Sequence, residues 1–517
     1  MISKRQGLIL CGVLSAGILL IELVLPLSWD NWVYQTMGWD LIAYGKLPYV
    51  GSWDVNFPGI VYLHALAIAL FGTSDLGFRI FDTMFEIAAC LLLYRLLVRW
   101  FPTLVSLLAS LIYPLIYVSL ANTTAGQRDA FVVFFLLAGL NLVCADFERD
   151  PAPRYRTILA GILIASCAVI RPTYGLFSLS VLLTYILIER RLTPRFWNFL
   201  WGCGIAFVLM LIPFAVTPHG LQDFLDFTVR FDLDVYAQYR ATDEAFLFAL
   251  QQTGYVTAAY TLLAMIALGM LVVLKKPVAT VSRFAITLYT LLVISSIISI
   301  FFLHTFQADH FLPLLLLLSP VVALGICSPV LVRRNLLTIA CTALLFFYFA
   351  YRLYPRNFVH DVIDGDRSGH SPIAYMHAII DSDSLAGFDA EAEAVQYVKA
   401  MDPRKEPVEV ICFDRPYIRV KAGLPSATRF TEIVPLAAKT KDGRFTDYQL
   451  EWRKEFVETL ARVRPAFIVF ADNGYHPFSL ASPIELAQEI PGFPSLLQDR
   501  YHPDTVIRGF RFYRRNE

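Results

Sequence analysis

The residues best suited to chemistry in this sequence are carboxylates that follow its first long apolar segment. Asp30 and Asp54 each come directly after a tryptophan, and a Phe-Pro-Gly breaker at 57–59 follows Asp54 closely. A carboxylate held in place beside aromatic groups can take a proton from a hydroxyl group, as a general base does. Two simpler roles remain open: Asp30 could cap the helix predicted after it, and Asp54 could be an ordinary turn residue.

A second set of polar residues lies at the ends of later apolar segments: Arg128, Asp129, Arg171, His304, Gln307, Asp309 and His310. Forked guanidinium donors suit phosphate oxygens, and Asp129 could supply a second carboxylate near Asp30. Polar groups at membrane depth are costly, which favours a functional site. The alternatives are arginines that snorkel to the interface or pair with headgroups, and a structural hydrogen-bonded cluster around His310. The spacing of these residues matches no recognised metal motif.

The composition places these residues in an integral membrane protein. Of the 517 residues, 57% are hydrophobic and 17% charged, and a formal net charge of zero makes nucleic acid an unsuitable partner. Apolar runs of about 20 residues match the hydrocarbon core of a bilayer. We predict eleven spans, at 7–27, 76–98, 103–121, 129–147, 157–171, 173–189, 197–217, 255–274, 283–303, 309–327 and 333–352. The apolar piece at 59–71 is too short to cross and is expected at the interface.

The orientation follows from the basic residues, which cluster in alternate connections between the predicted spans. Those ends are expected in the cytoplasm, together with the N-terminus, whose first apolar run is interpreted as an uncleaved span. The connection at 28–75, the loop at 218–253 and the whole tail then face the periplasm or the cell exterior. The eight cysteines form neither a disulfide framework nor a Cys-His metal spacing.

A change of composition after residue 352 predicts a second domain. Residues 1–352 form the transmembrane domain with the active-site loop 28–75, and residues 353–517 form a linker, to about 388, and a periplasmic α/β domain. Three apolar runs predict strands, at Val408–Phe413, Phe467–Ala471 and Val506–Tyr513. They alternate with helical patterns at 391–401, 448–463 and 483–490.

Several short motifs together resemble a known family. They are an Asp after the first span (Asp30), Gly-Lys-Leu-Pro-Tyr at 45–49, Trp-Asp-x-Asn-x-Pro-Gly at 53–59, Leu-Phe-Gly at 70–72, Arg79, Arg-Pro-Thr at 171–173, His-Phe-Leu-Pro at 310–313, Phe-Asp-Arg-Pro at 413–416 and Ser-Ala-Thr-Arg-Phe at 426–430. This set looks like the GT-C glycosyltransferases. The most similar branch contains protein O-mannosyltransferases, lipid A aminoarabinose transferase and rhizobial galacturonic acid transferases. The resemblance extends over nearly the whole chain.

The resemblance implies transfer of a sugar from a polyprenyl-phosphate carrier to a lipid A, polysaccharide, protein or lipid acceptor at the outer face of the bacterial inner membrane. It implies Asp30 as the base, assisted by Asp54 or Asp129. The implied donor and phosphate contacts are Asn56, Arg128, Arg171, His304 and His310. Membrane lipids are the other expected partners.

The sequence departs from the family at two points. Asn56 stands where a lysine is usual, which moves the expected phosphate contact towards Arg128, Arg171 or His310. Asn31 follows Asp30 where an acidic residue is frequent, so that a divalent cation stays an open expectation. No metal ligands are assigned.

Two other functions are weighed against the transferase. A transporter or lipid-sugar flippase also needs many spans, but transporters tend to have internal repeats and polar residues in broken helices at mid-membrane. Here the polar residues lie at one face and no repeat is visible, which favours an enzyme. A polymerase or ligase of surface polysaccharide would share the lipid-linked donor and differ in acting on long glycans.

Overall fold

The structure, a computed structural model, describes most of the chain. The described residues are 2–24, 27, 29–120, 125–148, 153–239, 282–303, 308–332, 340, 343–344, 388–402, 404–413, 415–471 and 481–516. His304 and the predicted spans at 255–274 and 333–352 lie outside these residues, apart from 340, 343 and 344.

Helices make up the described part of the first 332 residues. They are α1 (Lys4–Leu19), α2 (Trp29–Tyr44), α3 (Gly59–Phe71), α4 (Asp75–Leu97), α5 (Thr103–Leu120), α6 (Arg128–Phe147), α7 (Arg154–Ile170), α8 (Gly175–Glu189), α9 (Pro194–Ala215), α10 (Gly220–Leu225), α11 (Phe231–Asp234), α12 (Arg283–Leu303) and α13 (Leu312–Val332). Short 3-10 turns extend α1 at Leu20–Val24, precede α8 at Pro172–Tyr174 and precede α13 at Ala308–Phe311.

Six of the described helical stretches are long and apolar enough to cross a membrane: Lys4–Leu23, Arg128–Phe147, Pro172–Glu189, Pro194–Ala215, Arg283–Phe302 and Asp309–Cys327. The predicted spans at 76–98, 103–121 and 157–171 correspond to the helices α4, α5 and α7. The short apolar piece forms the 13-residue helix α3. The prediction of a polytopic helical membrane protein is therefore confirmed.

The chain divides into two compact units. The first contains residues 1–25, 79–210 and 241–360, and the second contains residues 26–78, 211–240 and 361–517. In the first unit, glycines let α7 and α9 approach closely: a Cβ on Gly161 would lie 2.2 Å from the carbonyl oxygen of Phe199, and one on Gly202 would lie 2.1 Å from that of Ile158. Small residues bring membrane helices together in this way because backbone packing replaces the hydrophobic effect inside lipid.

The second unit joins the predicted active-site loop with the tail. Its α2 and α3 pack against each other. Gly38 allows the contact because a Cβ there would lie 2.8 Å from the backbone nitrogen of Ala65. The tail contributes α14 (Phe388–Met401), α15 (Ile418–Ala422), α16 (Val434–Ala437), α17 (Asp447–Val463), α18 (Pro483–Gln488) and α19 (Phe493–Arg500).

The tail also contains a four-stranded sheet, which confirms the predicted α/β domain. Its strands β1 (Val408–Ile411), β2 (Phe467–Ala471), β3 (Tyr501–Ile507) and β4 (Phe510–Arg515) lie in the order β1-β2-β4-β3. β1 and β2 are parallel, and β4 pairs antiparallel with both β2 and β3.

The single strand predicted at Val506–Tyr513 is wrong, because this run turns back on itself as the hairpin of β3 and β4. Arg508 and Gly509, with φ of 39° and 94°, form its two-residue turn. Two positive φ values at a tight turn match the right-handed twist of paired strands, and glycine adopts one of them without strain. The Arg-Gly pair between apolar residues is a weak turn signal, which the apolar run concealed.

Candidate active site

Asp30 lies in the first turn of α2 and is half-buried. Its carboxylate makes no ion pair or hydrogen bond within the described residues. The first turn is where the helix dipole favours a negative charge. A half-buried carboxylate in this position keeps its oxygens available for a substrate hydroxyl group.

Asp40 lies near the other end of the same helix and has a different environment. Its side chain is completely buried. The guanidinium of Arg419, on α15, donates to both carboxylate oxygens of Asp40, at 2.7 and 2.6 Å. Such a bidentate pair has fixed geometry and satisfies a charge that would otherwise be very costly inside the protein.

Asp54 lies in the loop between α2 and α3, where it is buried. It accepts two hydrogen bonds from the side-chain amide of Asn56, at 3.0 and 3.1 Å. Earlier in the loop, Tyr49 has a φ of 67°, a conformation that costs a non-glycine residue energy. The rings of Phe214 and Phe224, each 5.5 Å from its own, hold Tyr49 in place. Aromatic packing thus maintains an otherwise unfavourable loop conformation.

Hydrogen bonds join this loop to the tail, at the motif Ser-Ala-Thr-Arg-Phe and just after it. Lys46 donates to the carbonyl oxygen of Ser426 at 3.0 Å, and Arg429 donates to that of Tyr49 at 3.3 Å. The hydroxyl group of Thr431, just after the motif, donates to the carbonyl oxygen of Trp53 next to Asp54. The tail therefore fixes the loop that carries Asp54.

Glu409, on β1, is a buried carboxylate beside these contacts. It accepts hydrogen bonds from the backbone and hydroxyl groups of Thr428, at 2.9 and 2.6 Å, and from the Ser426 hydroxyl at 3.3 Å. Burial raises the pKa of Glu409 to about 7, although these bonds and the charges of Arg419 and Lys46 act in the opposite direction.

Asp129, Arg171 and His310 come together in the first unit from three separate helical segments. Asp129 follows Arg128 in the first turn of α6, Arg171 occupies the break after α7, and His310 belongs to the turn before α13. The guanidinium of Arg171 donates to Asp129 and, at 2.5 Å, to His310 Nε2. Tyr174 donates its hydroxyl group to the second oxygen of Asp129. Because Nε2 accepts, His310 is the neutral tautomer with its proton on Nδ1.

This cluster offers the ligand types that a divalent cation requires. One ligand atom from each of Asp129, Asp309 and His310 lies within 4.8 Å of the others, and all three residues are buried. However, the guanidinium of Arg171 already binds Asp129 and His310 and lies 3.8 Å from Asp309. A metal ion would compete with this guanidinium for the same atoms, so the residues as arranged do not fit a metal.

A second buried cluster in the first unit was missed from the sequence. It joins Glu22 of α1's 3-10 extension, Arg79, Asp82 and Glu86 of α4, and Tyr113 and Tyr117 of α5. Arg79 lies 3.6 Å from Asp82, Tyr117 donates to both oxygens of Asp82, and Tyr113 donates to Glu86 at 2.6 Å. The signal was available: charges at i, i+3 and i+7 mark one polar face on an apolar helix.

The predicted site residues thus fall into two sets. Asp30, Asp54 and Asn56 belong to the second unit, and Asp54 and Asn56 contact each other. Arg128, Asp129, Arg171 and His310 belong to the first unit, and the last three are bonded together. His304 lies outside the described residues.

Comparison with known proteins agrees with this architecture. Residues 56–216 match the family of dolichyl-phosphate-mannose-protein mannosyltransferases. No curated protein sequence matches the chain.

Solved structures share the fold at low sequence identity. ArnT from Cupriavidus metallidurans bound to undecaprenyl phosphate is similar with a TM-score of 0.61 and 11% identity, over 98% of this chain and 97% of that one. AglB, the oligosaccharyltransferase of Archaeoglobus fulgidus, in complex with an inhibitory peptide and a dolichol-phosphate, has a TM-score of 0.52 and 12% identity over 99% of this chain and 74% of its own. The resemblance to GT-C glycosyltransferases is confirmed, and the chain has their fold.

Proposed function

We propose that this protein transfers a sugar from a polyprenyl-phosphate donor to an acceptor at the outer face of a bacterial inner membrane. The observation that carries the proposal is the match of residues 56–216 to a family named for transfer from a dolichyl-phosphate sugar. The fold shared with ArnT, which was solved with undecaprenyl phosphate, supports the same class of donor. The acceptor is a glycan, lipid or protein that carries a hydroxyl group.

In the proposed reaction Asp30 is the general base. The acceptor oxygen attacks the anomeric carbon while its proton moves to the Asp30 carboxylate, and the bond from this carbon to the phosphate oxygen breaks. The electron pair leaves with the polyprenyl phosphate. A single displacement of this kind inverts the anomeric configuration.

Asp30 is preferred over the other two carboxylates because of their contacts. The oxygens of Asp129 are taken by Arg171 and Tyr174, and those of Asp54 accept from Asn56. Asp54 is the second candidate, since an amide hydrogen bond is weaker than an ion pair and can be exchanged for a substrate hydroxyl.

The leaving phosphate needs positive charge, and Arg128 is the proposed source. It is half-buried and is the first residue of α6. The backbone N–H groups at the N-terminus of a helix also favour an anion, so they would add to the attraction of Arg128 for the phosphate. Arg171 and His310 hold Asp129 and the break after α7 in place, which assigns them a positioning role. No step in this mechanism passes through a metal ion.

The membrane orientation is part of the proposal. Basic residues in alternate connections support a cytoplasmic N-terminus and an outward-facing loop 28–75 and tail. An outer-face reaction would then use a donor carried across the membrane on its lipid.

The test is cleavage of synthetic polyprenyl-phosphate sugars by the purified protein, measured as free polyprenyl phosphate with and without candidate acceptors. Wild type is compared with Asp30→Asn and with Asp442→Asn, a matched change at an exposed tail carboxylate. We expect acceptor-dependent cleavage that Asp30→Asn lowers by roughly 10²–10⁴-fold and Asp442→Asn preserves.

Other outcomes would redirect the proposal. Folded wild type that binds these lipids but cleaves none of them would favour a transporter or flippase. Full activity in Asp30→Asn, together with its loss in Asp54→Asn, would move the base to Asp54. Extension of long glycans in place of single transfer would favour a polymerase.

A further inference from the structure

A cleft of about 1200 Å³ opens in the tail domain, where the parallel strands β1 and β2 begin. It lies wholly among residues 401–516 of the second unit. A volume of this size exceeds the range of about 300–1,000 Å³ that is usual for small-molecule sites, and it can hold several sugar rings. The mechanism proposed above uses none of its residues.

The walls of the cleft are rich in arginine. Five arginines line it: Arg404, Arg464, Arg500, Arg514 and Arg515. The cleft has three carboxylates: Asp402, Glu406 and Asp499. The cleft therefore carries an excess of positive charge even though the chain as a whole is neutral. A concave surface lined by one sign of charge concentrates ligands of the opposite sign.

Internal pairing uses only part of this charge. Glu406 accepts from both Arg515, at 2.6 Å, and Arg404, at 3.2 Å. Arg464 and Arg514 are exposed and make no ion pair within the described residues. Arg500 donates to the carbonyl oxygen of Ala461 at 2.7 Å, which leaves its charge uncompensated. Open guanidinium forks are suited to bidentate binding of carboxylates and phosphates.

A buried acceptor at the wall indicates that the ligand also carries hydroxyl groups. Asp402 is 94% buried, and its Oδ2 has no hydrogen-bond partner among the described residues. An ionised carboxylate only accepts hydrogen bonds, so it repels an inorganic anion but binds a hydroxyl donor. Arginines beside such an acceptor match a molecule that has both acidic groups and hydroxyl groups.

We propose that this cleft is a binding site for an acidic saccharide, with Arg464 and Arg514 on its carboxylate or phosphate groups and Asp402 on a hydroxyl group. The site goes beyond sugar transfer, because it binds a saccharide without cleaving one. It would hold an acidic glycan of the cell envelope on the tail domain whether or not that glycan is the acceptor.

Direct binding to the full-length protein in nanodiscs of neutral lipid tests this proposal. The probes are a hexamer of galacturonic acid, mannose 6-phosphate, a neutral hexamer of galactose and glycerophosphoglycerol, the headgroup of an anionic lipid. We expect at least one acidic saccharide to bind at least tenfold more tightly than the neutral hexamer, and to bind more weakly at higher salt.

The variant Arg464→Gln/Arg514→Gln should reduce this binding at least tenfold while its melting temperature stays that of wild type. Arg462→Gln is the matched control and should bind like wild type, because Arg462 is an exposed arginine in the last turn of α17, two residues before Arg464, and does not line the cleft. Asp402→Asn should weaken binding of the galacturonic acid hexamer but not binding of inorganic phosphate, because Asp402 accepts from a hydroxyl group and repels an inorganic anion.

Three results would overturn the proposal: no acidic saccharide that binds more tightly than the neutral hexamer, wild-type binding by the double variant, or an equal loss in Arg462→Gln. Binding of glycerophosphoglycerol without either acidic saccharide would also overturn it and assign the cleft to lipid headgroups. None of these results depends on sugar transfer, so failure here and failure of the transferase are distinguishable.

Discussion

The two ends of α2 carry the same chemical group in opposite situations. Asp40 is completely buried and bonded to Arg419 through both oxygens. Asp30 is half-buried and makes no ion pair or hydrogen bond within the described residues. Burial without compensation is too costly for a carboxylate, so Asp40 had to acquire a partner, whereas Asp30 keeps enough solvent to remain available. Asp40 therefore has a structural role in the fold, and Asp30 is suited to catalysis.

Glu409 is an intermediate case. It is buried like Asp40, but hydroxyl and backbone N–H groups satisfy it in place of a guanidinium. Neutral donors compensate a buried charge only partly, which is why burial raises its pKa to about 7. The type of partner, and not burial alone, decides whether a buried carboxylate stays charged.

The largest expected effect is on the rate of sugar transfer, and it concerns Asp30, at the start of α2. Asp30→Asn should lower the rate of sugar transfer by roughly 10²–10⁴-fold, the usual contribution of a general base, and leave the free energy of unfolding nearly unchanged. Activity assays and denaturant unfolding of the same preparation measure both. A large loss of stability in Asp30→Asn would contradict the distinction drawn here.

Arg419→Ala should have the opposite profile. It leaves Asp40 buried without its ion-pair partner, which is expected to cost about 3–5 kcal/mol of unfolding free energy. Denaturant unfolding of the full-length protein in micelles measures the loss, and adding Asp40→Asn to Arg419→Ala should recover part of it. If the single and double variants are equally unstable, loss of side-chain packing and not the unpaired charge is responsible.

Glu409 should make the free energy of unfolding depend on pH. Its pKa is raised from 4.5 to about 7, so its contribution to stability is complete below about pH 4.5 and is lost as the pH rises to about 7. A shift of this size corresponds to at most about 3 kcal/mol. Glu409→Gln should remove this part of the pH dependence between pH 4.5 and 7, as measured by unfolding at several pH values. The same slope in wild type and variant would exclude Glu409 as its source.

The smallest effect is expected at Arg429, which is paired but less buried than Arg419. Its side chain is 14% exposed and binds Asp223 at 2.9 Å and Glu455 at 2.8 Å. Solvent screens such pairs, so Arg429→Gln should cost about 1 kcal/mol or less, measured by the same unfolding assay. A cost equal to that of Arg419→Ala would show that exposure is not what distinguishes the two arginines.

Most helices and strands, and the general class of the protein, can be predicted from the sequence. Apolar runs of membrane-spanning length give the helical architecture, and the change of composition after residue 352 gives the tail domain. Short motifs around Asp30, Asp54 and Arg171 were enough to suggest the glycosyltransferase fold. Hydropathy, periodicity and motifs are local properties, so a single chain segment contains the whole signal.

Which of these residues are partners depends on how distant parts of the chain pack together. Asp129 and Arg171 are 42 positions apart, Arg171 and His310 are 139 apart, and Asp40 and Arg419 are 379 apart. Nothing local in the sequence distinguishes Asp40 from Asp30, because burial and pairing depend on which distant helix packs against each one. The hairpin at Arg508 and Gly509 was missed for a different, local reason: an apolar run concealed its weak turn signal.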